Sequence, residues 1–79
     1  MLTRCAQRAS DVLDGLRGGR TSMSATEQSE VVAGMCQERL RDAALREGGV
    51  LPPLSACLIG DAVAAEIDGM EKVKKNKYQ

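Results

Sequence analysis

Ile59, Val63, Ile67, Met70 and Val73 are separated by four, four, three and three residues. That spacing lays them along one face of a helix with 3.6 residues per turn, whereas a strand alternates every second residue. Leu58, Ala62 and Ala65 widen the stripe, and Asp61, Asp68, Glu71 and Lys75 fall on the other, solvated side. Pro52 and Pro53 suit the entrance, because proline fixes φ and first-turn N–H groups have no intrahelical partner. At the far end, KVKKNK sets lysines against the negative end of the helix dipole, worth about 0.3–1 kcal/mol each when exposed. The pattern predicts a helix over about 53–75 with a basic tail at 72–79. Inside it, Ala56, Gly60 and Ala64 make a row of small residues one turn apart. Either the row admits a second backbone at close range, or the chain tolerates glycine there at about 1 kcal/mol relative to alanine.

Two more helices precede it. Leu2, Cys5, Ala9, Val12 and Leu16 recur at three, four, three and four, a heptad-like seam that Leu13 broadens, over about 3–17. This segment is amphipathic and rich in arginine, as targeting peptides are, but Asp11 and Asp14 argue against that reading. Gly18 and Gly19 form a stop. Ser24-Ala25-Thr26-Glu27 fits a capping box at the start of a helix over about 24–47. Its inward stripe is Val32, Met35, Cys36, Leu40 and Ala43, with Gln37, Glu38 and Arg41 facing out. Gly48 and Gly49 stop it, and Val50 and Leu51 are expected to fold back onto its last turn. The connection to Pro53 is short, which favours antiparallel neighbours. The expected fold is all-α: a hairpin of the second and third helices plus a shorter N-terminal helix, in a single small domain.

Composition narrows the function. There is no Phe and no Trp, and the one Tyr, at position 78, is in the polar tail. Aromatic side chains bury the most area per residue, so a 79-residue chain without them has a thin core. A protein partner or self-association is therefore expected. Net charge is zero but segregated: residues 52–71 carry four acids and no base, and residues 72–79 carry four lysines. Histidine is missing, which removes imidazole as base, ligand or pH sensor. The sequence has no phosphate-cradling glycine loop, dinucleotide fingerprint or calcium loop. The carboxylate pairs Asp11/Asp14, Glu27/Glu30 and Asp68/Glu71 sit on polar helix faces without the shielding that separates acid from base. The three cysteines, Cys5, Cys36 and Cys57, are odd in number and lack metal-ligand spacing. They read as reduced apolar residues of a cytoplasmic protein. No apolar run is long enough to cross a membrane.

An enzyme is not expected, nor is a cofactor or a metal. The leading expectation is a non-catalytic helical interaction module: a small regulator, adaptor or accessory subunit that buries an apolar helix face. Its interface or shared core is assigned to Ile59, Val63, Ile67 and Met70, faced by Val32, Met35 and Leu40. A second reading is a nucleic-acid-associated regulator whose Lys72, Lys74, Lys75 and Lys77 contact phosphates, opposed by the acidic body. A third is a thiol-dependent redox protein using Cys36 or Cys57, opposed by the apolar setting of both.

Overall fold

Three helices follow one another as α1 (Leu2–Arg17), α2 (Ala25–Arg46) and α3 (Ser55–Lys77). The computed structural model of the chain describes residues 1–18 and 23–77, with side chains as far as Glu71. Gly19, the rest of the expected break at 20–22, and Tyr78 lie outside the described residues. So do the side chains of Val73, Lys72, Lys74, Lys75 and Lys77. The described residues contain no strand.

The helix ends follow local chemistry. Gly18 is the left-handed cap of α1, and its N–H donates to the Asp14 carbonyl at 3.0 Å. The Ser24 hydroxyl accepts the Glu27 N–H at 3.1 Å, which satisfies one of the unpaired donors at the start of α2. At the other end of α2, Gly48 and Gly49 take φ of 81° and 101°. The Gly49 N–H reaches back to the Ala44 carbonyl at 2.6 Å, the long bond of a Schellman stop. Side chains rarely adopt such φ values, so the two glycines are required by the turn. The two prolines lie just ahead of α3 rather than inside it. A turn in which the Ser55 N–H donates to the Pro52 carbonyl, at 3.0 Å, comes first, and the helix starts at Ser55.

The bundle runs up, down and up. Arg8 pairs with Asp61 and Arg17 with Glu71, so α1 and α3 run parallel. Gln28 of α2 bonds Asp14 near the end of α1, and Arg39 pairs with Glu66, so α2 is antiparallel to both. The α2–α3 hairpin is present, yet α1 packs far more extensively on α3 than α2 does. Residue size explains the order. Cys5 and Ala9 of α1 meet Ala56, Gly60 and Ala64 of α3, all fully buried or nearly so. A β-carbon built on Gly60 would stand 2.8 Å from the Cys5 carbonyl oxygen and 3.0 Å from the Arg8 Cβ. The small row is a close helix–helix contact, and helix separation depends on the side chains at the crossing.

The core comprises Cys5, Ala9, Leu13, Val32, Cys36, Leu40, Ala56, Val63, Ala64 and Ile67. Several expectations shift around the helix. In α1 the buried line is Cys5, Ala9, Leu13 and Arg17, each four residues apart, while Leu2 and Leu16 are exposed. In α3 the inward line is Ala56, Val63, Ala64 and Ile67, and Leu58, Ala62 and Ala65 face solvent instead of widening it. Leu51 packs against the core, whereas Val50 does not fold back and is 79% exposed.

Candidate functional site

The residues assigned to an interface or shared core separate into two groups. Val32, Leu40, Val63 and Ile67 are buried within the chain, and Met35 and Ile59 are half-buried against them. Met70 is exposed. The first four therefore hold the three helices together and leave no side-chain surface to a partner.

Apolar surface is concentrated elsewhere, where α2 hands over to α3. Val50, Leu54 and Leu58 are 79%, 67% and 62% exposed, and Leu51 and Ile59 lie half-buried beside them. Leu54 and Leu58 are joined through the backbone, the Leu58 N–H donating to the Leu54 carbonyl at 3.2 Å, so their side chains sit one turn apart. Leu51, Leu58 and Ile59 line a shallow groove of about 190 Å³ with Arg46 and Glu47 on its α2 side. The sequence signal for this cluster is the pair of prolines. They keep the helix from starting before Ser55, and the turn at Pro53 and Leu54 leaves Val50 and Leu54 exposed.

At the opposite corner of the same end, Cys57 sits half-buried in the first turn of α3. It lines an open groove with Arg4, Arg8 and Pro53. The Arg8 guanidinium donates to Asp61 at 2.7 Å, and this bond with the carboxylate charge holds Arg8 above its ordinary basicity. Both side chains are about half exposed, so the pair orients α1 on α3 and adds little to stability. Near the other end, Arg17 is buried. It pairs with Glu71 at 3.4 Å and donates to Gln28 at 3.2 Å, and Gln28 in turn donates to Asp14. This network ties the foot of α1 to both other helices. Sequence reading missed Arg17, although it lies four residues beyond Leu13 on the buried line.

The thiols are distributed unequally. Cys5 and Cys36 are fully buried and hydrogen-bonded to each other across the α1–α2 contact. Burial first, then the bond to Cys5, pushes the Cys36 thiol from 9.0 up to about 12. A thiol so held is not a nucleophile near neutral pH. Iodoacetamide is therefore expected to modify Cys57 first in the native protein, with Cys5 and Cys36 reacting only on unfolding, as mass spectrometry of timed digests will show. The same shift has a pH consequence. Because the folded state keeps the proton that the unfolded state loses, this contribution is complete below pH 9 and is lost as pH rises towards 12. Urea midpoints are expected to fall more steeply above pH 9 in the wild type than in Cys36→Ala.

The described residues contain no cluster of cysteines and carboxylates placed to hold a metal ion. None of the described helices is long and apolar enough to cross a membrane. The backbone of α3 continues through the lysine cluster as far as Lys77. Comparison with protein-family models, with curated proteins and with solved structures gives no match.

Proposed function

We propose that the protein is a non-catalytic helical interaction module, a small regulator, adaptor or accessory subunit, that docks through the end where α2 meets α3. The observation that carries this reading is the exposure of Val50, Leu54 and Leu58 together, beside half-buried Leu51 and Ile59. Single exposed aliphatic residues are ordinary, but a contiguous group rimmed by charge is the usual mark of a protein-binding surface. Here Leu51, Leu58 and Ile59 share a groove with Arg46 and Glu47, and Leu54 lies one turn before Leu58. Burying a leucine fully is worth about 1.5–3 kcal/mol, so three such side chains in a partner's groove supply a large part of a micromolar affinity. Of the stripe assigned to an interface or shared core, Val32, Leu40, Val63 and Ile67 are buried within the chain, and the docking role is assigned here to residues just beyond its N-terminal end.

The test pairs the wild-type chain with Leu54→Glu/Leu58→Glu. Both positions are exposed, so the variant is expected to keep its helical circular dichroism and its melting temperature within the range of surface substitutions. Cross-linked affinity capture should then return a protein with the wild type that the variant fails to hold. Equal capture by both chains would refute the assignment.

A further inference from the structure

The outer face of α2 carries a pattern that the bundle itself does not use. Gly34, Glu38, Arg41 and Leu45 are spaced by four, three and four, so they lie in one line along the helix, and all four are exposed. Leu45 is 75% exposed. Gly34 lies in mid-helix, where glycine costs about 1 kcal/mol relative to alanine. No packing accounts for it, because a β-carbon built there meets nothing within 4 Å. Among the described residues, neither Glu38 nor Arg41 takes part in an ion pair.

The line is complementary to itself when reversed. Two copies of α2 laid antiparallel about a two-fold axis between Arg39 and Leu40 bring Leu45 of each chain over Gly34 of the other. Glu38 of each chain then meets Arg41 of the other. A knob faces a notch twice, and a carboxylate faces a guanidinium twice. The four-three-four spacing is that of a coiled-coil seam, in which a charged layer fixes register at some cost in stability. A two-fold contact repeats each interaction, because the same patch is used on both subunits. The charge pattern also selects the occupant. In this register each Arg41 lies opposite Glu38 and close to Asp42 of its mate, two acids one turn apart that otherwise repel each other.

We infer that the outer face of α2 is a self-association surface whose occupant is a second copy of this chain, antiparallel, with Leu45 seated on Gly34 and Glu38 paired with Arg41. This surface is separate from the docking end proposed above, and the inference does not depend on that reading. The seam is short and has a charged centre, so the dimer is a weak one, forming in the range of about 10 µM to about 1 mM.

Sedimentation equilibrium across that range tests it on the full chain. The wild-type mass should rise from one chain towards two. Arg41→Glu sets like charges face to face twice and should hold the chain monomeric throughout. Glu38→Arg/Arg41→Glu restores both pairs with their signs exchanged and should recover the dimer. Gly34→Leu fills the notch and should abolish association while leaving the fold intact, since space is open there in the single chain. Leu58→Glu, on the other surface, should dimerise like the wild type. A wild type that stays monomeric at every concentration overturns the inference. So does a dimer that survives Arg41→Glu, or a charge-exchanged double variant that remains monomeric.

Discussion

Gly60→Val is expected to unfold the protein or to lower its stability by about 3 kcal/mol or more, and Gly60→Ala by a smaller amount in the same direction. The argument starts from one distance. The β-carbon that either substitution adds would lie 2.8 Å from the Cys5 carbonyl oxygen. That oxygen belongs to the backbone of α1 and cannot swing aside as the tip of a side chain would. The helices must therefore separate, and separation loosens the contacts of Cys5 and Ala9 with Ala56 and Ala64 along the same line. Alanine is favoured over glycine in a helix by about 1 kcal/mol, which offsets part of the strain for Gly60→Ala and leaves valine as the decisive variant. Gly69 supplies the control. It lies in the same helix and nothing comes within 4 Å of its built β-carbon, so Gly69→Ala should stabilise by up to about 1 kcal/mol. Urea unfolding followed by circular dichroism should show midpoints moving in opposite directions for the two alanine variants. If both rise together, α1 does not approach α3 at Gly60.

Helix number and helix ends were legible because they depend on neighbours in sequence. Ser24 with Glu27, Gly18, and the Gly48-Gly49 pair each act within a turn of their own position, and each is found at the helix end it marks. The parallel pairing of α1 with α3 was not legible, since it depends on which small residues meet across space. Cys5 and Ala9 read as part of the α1 seam and the row from Ala56 to Ala64 as open to a second backbone, but nothing in the spacing says that these two faces meet each other. Periodicity also fixed the buried face of α1 only to within one residue of rotation. Leu16 fits a seam by hydrophobicity but lies about 100° around the helix from the buried line of Cys5, Ala9, Leu13 and Arg17, and Leu2 lies in the first turn, so both are exposed while Leu13 is fully buried. Arg17 was invisible to a reading that sorts residues by polarity, because its burial depends on Glu71 and Gln28 from two other helices. At the α2–α3 end, spacing reads Leu58 as widening the α3 stripe and Val50 as folding back onto α2, and both are exposed instead. Leu58 fits the α3 stripe by type, yet it lies on the outer side of α3, beside Ala43 and Arg46 of α2 but not covered by them.

Ile67→Asp is expected to abolish the fold, and Met70→Asp, three residues away, to leave it intact. Both residues belong to one stripe by spacing, so the contrast separates position in space from position in sequence. Ile67 is 1% exposed and sits in the core with Val63, Ala64 and Leu13, whereas Met70 is 52% exposed. Removing a buried isoleucine side chain costs about 2–5 kcal/mol. Placing a carboxylate there without a partner adds several more, or forces it to take up a proton. A domain of this size has only about 3–5 kcal/mol of stability to lose. At Met70 the new charge remains in water, and the change should fall within about 0.5 kcal/mol. Far-UV circular dichroism of the two variants at equal concentration decides the matter. Loss of helix in Ile67→Asp alone places the core where α3 faces Leu13. Loss in both would mean that the outer turn at Met70 is also held against something, and that the buried face of α3 is wider than the three helices of one chain can cover.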